Sequence, residues 1–129
     1  MKCYTTYFGG LKAFLKEHPE IVPISICGKA PDWWNGHQYR KLAPRLWFFL
    51  KWKENHDNDF YVENFNKEVL GRFDQTEVWE GLLDVSGGSP FVLLCYEKPG
   101  DFCHRHLVSE WLRKAGYDIS EFRQGGEVT

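Results

Sequence analysis

The chain has 129 residues, 16 Lys+Arg against 18 Asp+Glu, and a formal net charge of −2. That length suits one domain, able to bury about two-thirds of its unfolded surface without staples. With 6 Trp, 6 Tyr and 10 Phe among 43% hydrophobic residues, extensive disorder is excluded, and the near-neutral balance argues against an extended nucleic-acid or membrane-surface patch.

In chain order, residues 2–8 form a β-branched and aromatic run ended by Gly9-Gly10, which predicts a strand. Residues 10–18 put Leu11, Phe14, Leu15 and His18 on one helical face before Pro19. Residues 21–27 predict a second strand, with Pro23 near its start or at an edge. Residues 28–43 are a long loop carrying Trp33 and Trp34. Pro44 suits the first turn of a helix reaching about Glu54. After a polar break at 55–59, residues 60–73 repeat Tyr61, Phe65, Val69 and Phe73 at helical spacing. Asp74 and Glu77 then resemble a capping box for a helix ended by Gly87-Gly88.

Residues 90–96, Pro-Phe-Val-Leu-Leu-Cys-Tyr, are an uninterrupted apolar run of the kind that parallel sheets cover on both faces. A turn at 97–101 leads to a helix from about Phe102 to Ala115, with Asp101 as N-cap and Gly116 as its stop. A short strand over 117–122 and a flexible tail over 123–129 complete the chain. Alternating strands and helices imply a single α/β domain over residues 1–122, a three-layer sandwich on a mostly parallel sheet of about four strands.

No window is long and apolar enough to span a membrane. The segment Met1–Tyr7 lacks the apolar core and cleavage site of a signal peptide, so a cytoplasmic location is expected. Cys3, Cys27, Cys95 and Cys103 are then expected to be reduced.

Ligands of open parallel sheets sit beyond the carboxyl ends of the strands. That selects Tyr7 to Gly10, Cys27 to Tyr39, and Cys95 to Arg105. The last segment is the richest. A helix N-terminus offers unpaired N–H groups and a partial positive charge to an anion, and Arg105 in the first turn would add a bidentate fork. Cys103 in that turn is a candidate nucleophile whose thiol the dipole favours as thiolate. His104 and Glu97 are candidate acid/base groups, and Cys95 a partner thiol. The bland alternatives are a cysteine packed as a small hydrophobe, a half-buried histidine in line with Val108, Trp111 and Ala115, and a solvated loop carboxylate.

Cys27, Cys95, Cys103 and His104 would make a Cys₃His metal set, but Cys95 and Cys103 are eight residues apart, where zinc sites favour pairs two to four apart. No metal is therefore assigned from sequence, and no cofactor is required by it. A phosphatase loop needs Cys, five residues, then Arg; Cys95 meets its first arginine ten residues on and Cys103 two residues on. Gly-rich nucleotide loops and the Gly-x-Ser-x-Gly elbow are absent.

The Cys95-x-Glu97…Cys103-His104-Arg105 pattern, on a strand followed by a helix, resembles the bacterial and phage family called domain of unknown function 488 (DUF488). The resemblance extends over residues 3–122 in layout, and it is most specific in this C-terminal motif. It implies an α/β fold and a site made of Cys95, Glu97, Cys103, His104 and Arg105. The chain departs from the family pattern in two places. Thr6-Tyr7-Phe8-Gly9-Gly10 has no histidine where many members read Gly-His-Ser, and Ser25-Ile26-Cys27 stands where many read Asp-Val-Arg. Lys29 is the nearest cation and His37 the nearest histidine to those positions.

Trp33 and Trp34 would stack a base or sugar if exposed, with Gly9, Gly10 and Lys29 beside the ligand; otherwise they cover the sheet edge. The helix from Pro44 places Leu46, Trp47 and Leu50 on one face and Phe48, Phe49 and Trp52 off it, which makes it either deeply buried or a homodimer contact. Two functional classes follow: an enzyme, thiol-dependent, acting on an anionic or nucleotide-like small molecule, or a non-catalytic module that binds or senses such a ligand in a phage or defence setting. A zinc-stabilised interaction protein is a third.

Overall fold

The computed structural model describes residues 1–123, so the tail expected over 123–129 lies, but for Arg123, outside the described residues. The strands are β1 (Cys3–Tyr7), β2 (Val22–Ser25), β3 (His37–Gln38), β4 (Phe91–Cys95) and β5 (Ile119–Glu121). The helices are α1 (Leu11–Glu17), α2 (Leu46–Asn55), α3 (Asn58–Glu68), α4 (Gln75–Ser86) and α5 (His104–Lys114). All strand pairs are parallel and form one sheet in the order β3-β2-β4-β1-β5.

The β4 run is buried at every position, as an apolar strand with neighbours on both sides and helices on both faces must be. Tyr4 pairs in register with Val92, so Tyr4 and Phe91 project to opposite faces. Phe14 of α1 meets Tyr4 edge-on, with ring centroids 5.3 Å apart. Trp79 of α4 lies 4.9 Å from Phe91 on the other face. The sheet is therefore the middle of three layers. Crossovers explain the split: β1 to β2 runs one way along the sheet and β4 to β5 the other. Right-handed connections running in opposite directions place their helices on opposite faces.

Among the described residues five strands form where about four are expected. The addition is β3, two exposed residues inside the long loop, which pair only with Ile24 and Ser25. Pro23 thus sits where β2 has a neighbour on one side only, and its missing N–H is tolerated. Asp74 caps α4 as expected, its side chain accepting from Thr76 N at 2.7 Å. Asp57 does the same for α3, accepting from Phe60 N at 3.1 Å, so the polar break shrinks to His56 and Asp57. The helix expected over 60–73 ends at Glu68 and gives way to a 3₁₀ turn at Leu70–Arg72. Among the described residues no helix is long and apolar enough to cross a membrane.

In α2 the buried side chain is Phe48, and Phe49 and Trp52 pack partly against the core. Leu46, Trp47 and Leu50 are 69%, 50% and 53% exposed. The helix is neither fully buried nor evenly solvated, and its outward stripe is apolar.

Candidate functional site

Adjacent strands whose connections leave in opposite directions open a crevice at their carboxyl ends. Here those strands are β2, which continues outward to β3, and β4, which returns past β1 to β5. Ile26 N donates to Leu94 O at 3.1 Å and extends the β2–β4 pairing by one step. That brings Cys27 and Cys95 to the same end of the sheet. The loop after β4 then reverses at Gly100, whose φ of 92° is open to glycine and strained for other residues. Asp101 N donates to Lys98 O at 3.1 Å and closes the turn. The start of α5 is carried back over the end of β4.

Cys103 is the N-cap of α5 and His104 its first residue, two positions later than the expected start. Asp101, the expected cap, lies two residues before the N-cap, inside the turn closed on Lys98. His104 Nε2 lies 2.9 Å from the Ile26 carbonyl. A carbonyl only accepts, so Nε2 carries a proton, and Nδ1 is the nitrogen within reach of both sulfurs. Cys95 Sγ is 3.5 Å from both ring nitrogens, and Cys103 Sγ is 4.0 Å from Nδ1. One ligating atom from each of Cys95, Cys103 and His104 falls within 4.8 Å of the others. Cys27 Sγ donates to Leu94 O at 3.6 Å beside them. All four side chains are buried, with Cys95 1% and Cys103 6% exposed.

This enclosure divides the protons unequally. Burial pushes the Cys95 thiol well up, and the neighbouring Cys103 and Cys27 sulfurs push it further. Burial alone would raise Cys103 too. A hydrogen bond from Cys95, the His104 imidazole and the Arg105 charge outweigh it and hold Cys103 well below the ordinary thiol range. Burial likewise opposes the charged form of His104, yet its hydrogen bond to Cys103 and the sulfur charge raise it above the usual imidazole value. Cys27 is lowered by its hydrogen bond with Cys95, against the effect of burial. The arrangement favours a thiolate on Cys103 beside an imidazolium on His104.

Arg105 corrects the expected anion fork. It is fully buried, and its Nε and Nη2 donate to the two carboxylate oxygens of Glu121 at 3.0 and 2.8 Å. Nη1 donates to the Glu97 carbonyl at 2.7 Å, and Thr5 Oγ1 donates to the same carboxylate at 2.6 Å. Burial works against the guanidinium charge, but the Glu121 carboxylate more than restores it. The fork holds a strand to a loop rather than reaching into solvent. Glu97 is tied in by its backbone, while the residue itself lines a cavity of about 30 Å³ with Cys103, His104, Phe49, Trp52, Tyr61 and Phe102.

A larger cavity of about 490 Å³ opens beside His104, lined also by Gly28, Lys29, Pro44, Leu46, Phe49 and Tyr96. Lys29 is the one expected ligand residue that the fold brings to it. Tyr96 Oη donates to the Lys29 carbonyl at 2.6 Å and fixes the loop bearing that lysine. Trp33 and Trp34 do not line this cavity. Their rings pack on Phe8 at 5.7 and 5.6 Å, and the Trp34 indole donates to His37 O at 3.1 Å. Trp33 remains 64% exposed. Gly9 and Gly10 line a separate cavity of about 270 Å³ with Thr6, Tyr7 and Phe122. His37 lies in the edge strand β3 and is exposed. Sequence reasoning missed Ile26, which fixes the His104 ring, and Phe49 and Tyr96, which shape the larger cavity; no local pattern marks a carbonyl that accepts from a residue 78 positions away.

The model of the active DUF488-N3 subclade, DUF488-N3a, matches residues 17–116. The chain therefore belongs to that family. No curated protein and no solved structure matches it.

Proposed function

For a member of the active DUF488-N3 subclade, we propose an enzyme that acts on an anionic, nucleotide-like small molecule through the thiol of Cys103. The observation that carries this reading is the convergence of Cys95, Cys103 and His104 at the β2–β4 crevice, where His104 lines both the cavity of about 490 Å³ and the small one that Cys103 lines. Reactive groups from two elements meet where parallel sheets bind their ligands. Lys29 at the rim supplies a cation for an anionic group, and Phe49 and Tyr96 supply apolar walls for a ring. Cys103 Sγ bonds to the electrophilic atom of the ligand. His104 takes the thiol proton and returns it to the leaving group, which departs with its electron pair. Water then cleaves the covalent adduct and restores the thiol. Cys95 steadies the sulfur by hydrogen bonding, and Glu97 on the small cavity is the second acid/base candidate.

The test is alkylation mapped by mass spectrometry, followed by a nucleotide panel. Iodoacetamide at neutral pH is expected to label Cys103 before Cys3, Cys27 and Cys95. A nucleotide turned over by the native chain and not by Cys103→Ser would support the enzyme. Labelling of Cys103 no faster than an ordinary thiol removes the nucleophile. The burial of the cluster favours a second reading, a non-catalytic sensor of the same ligand class. Tight binding by tryptophan fluorescence, with the ligand recovered unchanged, decides for it.

A further inference from the structure

We propose that Cys95, Cys103 and His104 bind one zinc ion, and that bound zinc withdraws the Cys103 thiol from the ligand. The metal site stands on geometry alone; the masking rests on the nucleophile reading above. A tetrahedral zinc, with bonds of about 2.3 Å to sulfur and about 2.0 Å to nitrogen, separates those ligands by about 3.5 Å. The His104 Nδ1 to Cys95 Sγ distance is 3.5 Å, and Cys103 Sγ is 4.0 Å from the same nitrogen. Small rotations of one thiol therefore close the site around an ion.

One nitrogen of the histidine is already committed. His104 Nε2 donates to the Ile26 carbonyl at 2.9 Å, which leaves Nδ1, within reach of both sulfurs, as the ligand atom; Cys95 Sγ lies 3.5 Å from both ring nitrogens, so its thiol rotates toward Nδ1 as the ion enters. A backbone carbonyl in this position is the usual orienting partner of a metal-bound histidine. Two thiolates and an imidazole are soft and borderline donors that select zinc over magnesium or calcium. The cavity of about 30 Å³ beside Cys103 and His104 has room for one water-sized molecule at a fourth position. Each zinc taken up releases two protons to solvent, one from the Cys95 thiol and the one that the Cys103–His104 pair holds between them. Chain spacing hides the site, because Cys95 and Cys103 are eight residues apart yet the Pro99-Gly100 turn folds one back over the other.

The experiment uses the full chain, reduced and stripped with a chelator, and titrates it with cobalt(II), then zinc. A thiolate-to-cobalt charge-transfer band saturating at one equivalent, and bleached by zinc, is expected. Cys95→Ser and Cys103→Ser should each abolish the band, while Cys27→Ala should keep it. Circular dichroism shows whether each variant is folded, and His104→Gln gives a further variant if a cysteine variant is not. No band at saturating cobalt, or a band indifferent to all three ligand substitutions, overturns the site, and loss in Cys27→Ala overturns this ligand set. One equivalent of zinc should also slow iodoacetamide labelling of Cys103 by about tenfold or more, with chelator restoring it, because the free thiolate is the nucleophile. Unchanged labelling with zinc bound overturns the masking. Slow labelling without zinc would instead defeat the nucleophile reading, leaving the cobalt spectrum to decide the metal site.

Discussion

At the scale of single residues, Arg105 and Glu121 show how a charge can serve structure where the sequence offers it to a ligand. The guanidinium is fully buried and the carboxylate residue only partly exposed, so neither has bulk water to fall back on. Removing one partner of such a pair leaves a stranded charge, at a cost of about 3–5 kcal/mol. Glu121→Ala is therefore expected to lower the denaturant midpoint strongly and to loosen both Thr5 and the Glu97 loop. The double variant Arg105→Met/Glu121→Met should recover much of that loss, because no charge then remains buried. Chemical denaturation of the three proteins checks this; equal losses in the single and double variants would contradict the pairing. The sequence carries no sign of the pair. Its partners are 16 residues apart on different elements, and an arginine in a first helical turn reads locally as a solvent-facing cation. Cys103 and His104, by contrast, are legible as chemistry-bearing because they open a helix after an apolar strand.

At the scale of elements, the loop from β4 to α5 decides whether the cluster exists. Gly100 holds a φ of 92°, and nothing lies within contact distance of an added Cβ, so backbone strain is the only obstacle to a side chain there. Gly100→Val is expected to destabilise by about 1–3 kcal/mol and to shift the start of α5. Because Cys103 is its N-cap and His104 its first residue, selective labelling of Cys103 should fall along with stability. Gly87→Val, at φ 69° but at the end of α4, should cost similar stability while leaving the labelling pattern alone. Equal effects of both on labelling would mean that the cluster does not depend on the turn. The strength of β4 as a sequence signal comes from its five consecutive buried residues. The two exposed residues of β3 have no periodicity to detect, and their pairing depends entirely on Ile24 and Ser25 of another strand. The early end of α3 at Glu68 is similar: the apolar repeat continues through Val69 and Phe73, but a 3₁₀ turn carries it.

At the scale of the whole molecule, the layering is legible from alternating strands and helices, while strand order is not. Nothing local places β1 beside β4 and β5, yet that neighbourhood seals Cys3. Cys3 N donates to Asp118 O at 2.9 Å, and Sγ lies 3.5 Å from Phe91 N. Burial raises the thiol from its ordinary 9.0 to about 11. The consequence is a pH-dependent stability. Above pH 9 the unfolded chain loses this proton while the folded chain keeps it, so folding becomes less favourable. The contribution is complete below pH 9 and is lost progressively up to about pH 11. Over that interval the loss amounts to at most about 2.7 kcal/mol. Cys3→Ala removes the titration and leaves a small void in its place. The native chain is thus expected to be the more stable of the two at pH 8, with the gap narrowing between pH 9 and pH 11 in parallel denaturant titrations. Cys95 and Tyr61, also raised by burial, titrate alike in both proteins and cancel in the difference. A gap that stays constant across that range would mean that the thiol reaches water in the folded protein, and that the β1–β4–β5 centre of the sheet is looser than its register implies.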